Sequence, residues 1–374
     1  MKLESSRRDF LAAGLALPAA TLPPAPSLPA PAGGPSYRVL GKTGLKVTTV
    51  GYGCMITSDP SVIAKAADLG INFFDTSRGY QRGNNERMVG AALGARRKNV
   101  ILSTKCDAGT KEGVLAELET SLKELGTDYV DIWHLHSKNT PEAIKDELVE
   151  AQEIARKQGK TRFIGISTHR LPEVALAIVK AGKLDVVQFS YNFTMAPEWQ
   201  GATDSLHKAG VGLVAMKVMA GGTRGRNPRP QMQRPNAMAA ALKWVLKNPA
   251  IATTVPSMTD TEQLDQNFQV MSQTFTETDQ KILEARLEEI RPLYCRMCGQ
   301  CDGKCPQGLP VADVLRYLMY AEGYGQFPLG REHFLALPAG LTQVRCNQCS
   351  ACPIRCPNGV RVTERLIRAQ ELFA

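Results

Sequence analysis

Eight of the chain's ten cysteines lie between Cys295 and Cys356, and their spacing is the sharpest chemical signal in the sequence. Cys295, Cys298, Cys301 and Cys305 follow the pattern C-x2-C-x2-C-x3-C-P. Cys346, Cys349, Cys352 and Cys356 repeat it 41 residues later, again with proline after the fourth cysteine. Three thiolates on one tight loop can each reach a different iron of a cubane, and in such runs the fourth cysteine typically ligates the neighbouring cluster. The expectation is two [4Fe–4S] clusters. Cys295, Cys298, Cys301 and Cys356 would hold one, and Cys346, Cys349, Cys352 and Cys305 the other. Zinc usually takes paired cysteines, and three thiolates within seven residues suit it poorly. Disulfides need an oxidising compartment, and two four-cysteine runs of identical spacing are hard to explain that way.

A second group of reactive side chains stands out once the elements that must carry them are read. From Tyr37 to about Arg291 short β-rich runs alternate with amphipathic stretches. The strand candidates are Val47–Gly51, Ile71–Thr76, Asn99–Lys105, Tyr129–His136, Phe163–Thr168, Val186–Tyr191, Gly212–Lys217 and Ile251–Ser257. Helical patterns such as Lys111–Leu125, Glu142–Gln158 and Arg234–Lys247 lie between them. Eight such units in some 250 residues predict an α/β fold, a (β/α)8 barrel over 36–291. A doubly wound open sheet is the alternative, but no Gly-x-Gly-x-x-Gly follows the first strand. A barrel places chemistry at the carboxyl ends of its strands. Those ends are Asp75, Lys105, His136 and Ser167, with Tyr80 just past the second strand.

Between Tyr37 and about Asn267 the sequence resembles the aldo/keto reductase family. The match includes Asn72-Phe-Phe-Asp75-Thr, Tyr80 with Gly83 and Glu86, Ser103-Thr-Lys105, Asp128-Tyr-Val-Asp131-Ile-Trp-His-Leu-His136 and Gly165-Ile-Ser167. The resemblance implies that Tyr80 protonates a substrate carbonyl while a nicotinamide delivers hydride. Lys105 and Asp75 would ease proton loss from Tyr80, and His136 would orient the carbonyl. The chemistry is sound on its own terms. A phenol with a pKa near 10 is a poor acid–base catalyst at neutral pH unless a nearby ammonium stabilises its anion. Each residue also has a plainer reading: Asp75 as a strand-end cap, Lys105 as a structural ion pair, Tyr80 as a loop aromatic.

The cofactor positions match less well. Ser167 and Gln188 fit the nicotinamide end, but Thr168 and His169 follow Ser167 where the family often has asparagine. Met216 falls where a stacking tyrosine is common, and it has no ring face. Gln263 and Asn267 remain for an adenosine. Pro256-Ser-Met-Thr-Asp260 lacks the basic residues that clamp the 2′-phosphate of NADP. Arg224 and Arg226, beside the stretch Gly221–Gly225, meet either a pyrophosphate or nothing. NAD, NADP, another bound redox group or an empty site stay open.

Residues 292–374 are expected to form a small, mainly helical domain. Val311–Tyr324 and Val362–Leu372 are amphipathic. Helices flanking the cysteine loops resemble the α-helical ferredoxin domain of fumarate reductase and heterodisulfide reductase subunits. The apolar face of Val311–Tyr324 is either core or a docking surface.

At the other end, Ser5-Ser-Arg7-Arg8-Asp-Phe-Leu precedes a short apolar stretch and Ala30-Pro31-Ala32. Residues 1–32 resemble a twin-arginine signal peptide, which implies export to the periplasm. That route carries folded proteins, which suits clusters inserted before export. The remaining charge of the 374-residue chain is weak evidence for nucleic acid. Its net +9 falls to roughly +4 once the signal is removed and each cluster with its thiolates counts as about −2. Lysines and arginines are scattered, not gathered into a stripe. No apolar run is long enough to span a bilayer in the mature chain. The sequence therefore reads as an exported iron–sulfur oxidoreductase acting on a small carbonyl or alcohol, with a redox partner protein as a candidate electron source. A barrel without catalysis, serving as an electron-transfer or docking subunit, is the alternative.

Overall fold

The computed structural model describes residues 34–195, 197–221 and 236–374. The proposed signal peptide and Arg224 and Arg226 lie outside these residues. Gly33–Ala374 form one compact unit.

Strands β1 (Tyr37–Val39) and β2 (Lys46–Thr48) pair antiparallel as a hairpin. Eight parallel strands follow in unbroken sequence order: β3 (Tyr52–Gly53), β4 (Phe73–Asp75), β5 (Ile101–Cys106), β6 (Val130–Leu135), β7 (Thr161–Thr168), β8 (Val186–Ser190), β9 (Gly212–Met216) and β10 (Thr253–Thr254). Parallel bridges Val50 to Thr254 and Gly53 to Ser257 close the ring. This is the expected (β/α)8 barrel.

Two expectations shift at the closure. Val47–Gly51 is not the first barrel strand: its first half belongs to the hairpin, and the barrel strand begins at Tyr52. Leu40, Leu45 and Val47 are instead buried against Phe73, Ile101, Ile132 and Val186 at the amino ends of the strands, so the hairpin plugs the barrel floor. The last strand is short, Thr253–Thr254, although a further parallel bridge pairs Gly53 with Ser257.

Helices alternate with the strands as the periodicity requires. Lys111–Leu125 starts where Thr110 accepts a hydrogen bond from Gly113 N and stops at left-handed Gly126. Glu142–Gln158 divides into a turn, Pro141–Ala143, and a helix, Asp146–Lys157. The helix Glu277–Ile290, opened by a Thr276/Asp279 capping box, leads out of the barrel.

The carboxyl-terminal segment builds a second core. Helix Val311–Glu322 buries Val311, Val314, Leu315, Leu318 and Met319 against Phe334, Leu366 and Phe373 of helices Phe327–Leu335 and Val362–Phe373. Its apolar face is core. Ala220, from the barrel, belongs to the same cluster, so this helix lies against the barrel mouth.

Candidate active site and cluster-binding loops

Strands β4 and β5 are adjacent and parallel, with Asp75 opposite Ser103, so Asp75 and Lys105 both point into the barrel at its carboxyl end. Lys105 Nζ donates to Asp75 Oδ2 at 2.6 Å and to Thr76 O at 2.7 Å, and the lysine is fully buried. Asp75 also accepts from Ser103 Oγ at 3.0 Å and Gln188 Nε2 at 2.9 Å. A buried ammonium is tolerable only with such partners. Lys105 Nζ sits 5.0 Å from the centroid of the Tyr80 ring. Burial first, and then the Asp75 carboxylate, push the Tyr80 hydroxyl well above its usual range.

His136 comes to the same mouth from just beyond β6. Its ring meets Tyr80 edge to face at 6.0 Å, and its Nδ1 lies 2.7 Å from Asp107 Oδ1. Burial raises Asp107, but the His136 partnership outweighs it and holds the carboxyl low. Asp107, two residues past Lys105, was not anticipated; only its place after a strand end hinted at it. The Tyr80 loop is braced by Arg78, which pairs with buried Glu86 at 2.5 Å. Gly83 is indispensable in this loop: its φ is +86°, and a Cβ would collide with the Arg78 guanidinium.

The nicotinamide-type positions are partly gathered. Gln188 Oε1 is buried without a hydrogen-bond partner, an orphaned acceptor that suits a carboxamide. Gln188, Met216, Lys217 and Asp75 line a cavity of about 120 Å³. Ser167 lies apart from that cavity's wall, its Oγ accepting from Ser137 N at 2.9 Å. Gln263 and Asn267 line a separate cavity of about 70 Å³. Tyr324, from the carboxyl-terminal segment, lines both. Gln263 is engaged with Asp260, whose carboxylate caps helix Thr261–Gln269. Sites for drug-sized ligands run to roughly 300–1,000 Å³. Each of these two adjoining cavities is smaller than that, and they share Ile56, Met219, Ser257 and Tyr324 in their walls.

The cysteine loops lie beside this mouth. Cys295 is within electrostatic reach of Cys298, Cys301 and Cys356, and Cys346 of Cys305, Cys349 and Cys352. The fourth cysteine of each run is thus drawn toward the other run. Asn358 Nδ2 donates to Cys298 Sγ and Gln370 Nε2 to Cys346 Sγ, both at 3.4 Å, the kind of contact that tunes cluster sulfurs. All eight cysteines are partly buried and none is disulfide-bonded. Among the described residues no three candidate ligands converge on one point suited to a single ion. Sulfurs spread around a cube need no such convergence. Tyr294 ties the loop to the barrel: Asn192 Nδ2 donates to its hydroxyl at 3.1 Å and to Lys217 O at 3.0 Å. Arg170 forms an ion pair with Asp302 across the same boundary.

Residues 58–238 match the aldo/keto reductase family, and residues 294–360 match a 4Fe-4S dicluster domain. L-galactose dehydrogenase of Arabidopsis thaliana is 30% identical over 312 residues, covering 68% of this chain and 95% of that protein. An uncharacterised oxidoreductase of Bacillus subtilis is 29% identical over 300 residues, covering 67% and 96%. Among solved structures, the holo form of an aldo-keto reductase from Bacillus halodurans superposes with a TM-score of 0.59. It is 26% identical and covers 67% of this chain and 96% of its own.

Proposed function

Since the chain belongs to the aldo/keto reductase family and carries a 4Fe-4S domain, it is an iron–sulfur oxidoreductase, and we propose that it interconverts a small carbonyl compound and its alcohol outside the cytoplasm, drawing on two [4Fe–4S] clusters. The clusters, when bound, each supply or accept one electron. The work of the polypeptide is to bind, orient and move protons. His136, held by Asp107, donates toward the carbonyl oxygen and fixes its direction. Tyr80 gives that oxygen its proton on reduction and takes it back on oxidation. Lys105 steadies the phenolate that remains, and Asp75 keeps the buried ammonium charged.

The observation that carries this reading is the placement of Lys105 between the Asp75 carboxylate and the Tyr80 ring. Its test is Tyr80→Phe. Turnover should be lost while the brown cluster chromophore stays, and unchanged activity would sink the reading. Iron and acid-labile sulfide in anaerobically purified protein should each come to about eight per chain. One or two zinc atoms without colour would overturn the cluster assignment.

Reducing a carbonyl takes two electrons and two hydrogens: a nicotinamide held at Gln188 would supply the hydride that joins carbon and Tyr80 the proton that joins oxygen, while the clusters and a redox partner protein would recharge that nicotinamide in place of a free NAD or NADP pool. The lack of basic residues after β10 argues against a freely exchanging NADP. It also favours a second reading, a barrel that only carries or docks, and the Tyr80→Phe result separates the two. Export by the twin-arginine route rests on Arg7 and Arg8 and the cluster cargo. No helix among the described residues is long and apolar enough to cross a membrane.

A further inference from the structure

At the seam between the barrel and the cluster domain three side chains form a group that the chemistry above does not use. Lys217 follows β9 and keeps a left-handed backbone, φ +54°. Such a conformation is uncommon for a residue with a Cβ, and Asn192 pins it through the Lys217 carbonyl. Its Nζ lies 5.1 Å from the ring centroid of Tyr320 and 5.5 Å from that of Tyr324. Arg316, one turn before Tyr320 on helix Val311–Glu322, reaches the same place.

The charges here do not balance. Arg316 pairs with Asp313 at 3.1 Å, but its Nε is buried with no hydrogen-bond partner. Among the described residues Lys217 makes no ion pair; its partner is the Tyr320 hydroxyl. Four neighbours register the surplus positive field. Burial lowers Lys217 first, and Arg316 adds to it. Burial raises Tyr320, yet Lys217 and Arg316 outweigh that and hold its phenol below the usual value. His169 is lowered by burial first and then by Lys217 and Arg316, and His333 by burial first and then by Arg316. Two partly desolvated cations sharing one carboxylate are costly unless an anion joins them. The group adjoins the reacting centre. Lys217 lines the cavity that holds Asp75 and Gln188, and Tyr320 is among the groups whose charge reaches the Tyr80 hydroxyl.

We propose that Lys217, Arg316 and Tyr320 form an oxyanion site for the carboxylate of the substrate, so that the compound reduced or oxidised is a small oxo or hydroxy acid. The proposal rests on the reading of Tyr80 and His136 as the carbonyl site, and it makes the cluster domain part of substrate recognition. The cavity of about 120 Å³ is lined by Lys217 together with Asp75 and Gln188, so a molecule of a few heavy atoms there meets Lys217 directly, with Tyr320 and Arg316 backing that lysine.

Two measurements on the full cluster-loaded protein test it. The first compares kcat/KM for pyruvate with that for methyl pyruvate, which has the same carbonyl without the charge. The wild type should prefer the acid, and Lys217→Met and Arg316→Gln should each lower the acid-to-ester ratio by about tenfold or more, chiefly through KM. A ratio unchanged in both variants overturns the proposal. The second measures oxalate binding by calorimetry and needs no turnover. Oxalate should bind the wild type and Tyr80→Phe alike, and both seam variants should lose it. No oxalate binding to the wild type would mean that the Tyr320 phenolate itself is the counter-ion. Inorganic pyrophosphate bound more tightly than oxalate, and lost in the same variants, would assign the site to a nucleotide. Either result refutes the carboxylate assignment. If no carbonyl compound is turned over but oxalate binds as stated, the carbonyl-site reading fails while the anion site stands.

Discussion

Replacing Lys105 by methionine removes the ammonium from beside Tyr80 while keeping most of the side chain's volume. With Nζ 5.0 Å from the ring centroid, a unit charge at an effective dielectric constant near 20 stabilises the phenolate by about 3 kcal/mol. At about 1.4 kcal/mol per factor of ten, that is roughly two orders of magnitude in proton transfer. Asp75, 2.6 Å from the ammonium, offsets part of this field at Tyr80, so the expected loss lies between about tenfold and a few hundredfold. The assay is kcat for a panel of aldehydes and oxo acids with reduced viologen as donor, and the brown cluster absorbance serves as the check on folding. The lysine is argued to act through the phenol, so Tyr80→Phe combined with Lys105→Met should be no slower than Tyr80→Phe alone. Wild-type rates for Lys105→Met would refute the argument. So would a double variant slower than Tyr80→Phe by the full lysine factor, because the lysine would then act on something other than Tyr80.

The raised Tyr80 hydroxyl fixes a pH response: protonated phenol persists through neutral pH, so carbonyl reduction should be flat there. Alcohol oxidation needs the phenolate and should still be rising near pH 10; a plateau close to neutrality would contradict it. Asp75→Asn takes the countercharge from buried Lys105 while leaving only neutral acceptors, Thr76 O and the asparagine amide oxygen, and should cost about 3–5 kcal/mol in a denaturant titration, where a loss below about 1 kcal/mol would show the pair to be dispensable. Cys356→Ser should lower iron from about eight to about four per chain. Adding Cys298→Ser should then cost no more iron, whereas adding Cys349→Ser should remove the rest; the reverse order would mean that each run holds its own cluster. Arg7→Lys with Arg8→Lys should leave the protein in the cytoplasmic fraction, and continued export would discard the twin-arginine reading.

The barrel was legible because its signals are local. Lys111–Leu125 carries its own start and stop, and strands such as Val186–Ser190 are apolar because both faces are covered. Asp75, Lys105 and His136 could be picked out because parallel strands deliver their last residues to one end. The error at Val47–Gly51 came from the same logic. An apolar run reads alike whether it lines a barrel wall or plugs its floor, and only the contacts of Leu40, Leu45 and Val47 decide. The seam could not be read at all. Arg316 and Tyr320 lie on a helix whose apolar positions announce an ordinary core, with Tyr324 just past its end, and nothing local says that its polar face meets Lys217, about a hundred positions earlier. The spacing of the cysteines likewise announced the cluster loops but not the barrel residue, Asn192, that ties Tyr294 to the mouth.

Backbone strain points to the same places as the side chains. Among the described residues, seven without a glycine's freedom have positive φ. Gln81 and Arg82 follow Tyr80, Ser137 follows His136, Lys217 follows Met216, and Met297 sits between Cys295 and Cys298. Each such residue costs on the order of 1–3 kcal/mol and persists only where its surroundings hold it firmly. Five of the seven thus adjoin a strand end that delivers a polar group, or a cysteine loop. A barrel that had become a mere docking platform would have little reason to keep three tense turns around one mouth. Left-handed residues beside Tyr80 and His136 and at Lys217 itself argue for a site whose geometry is required.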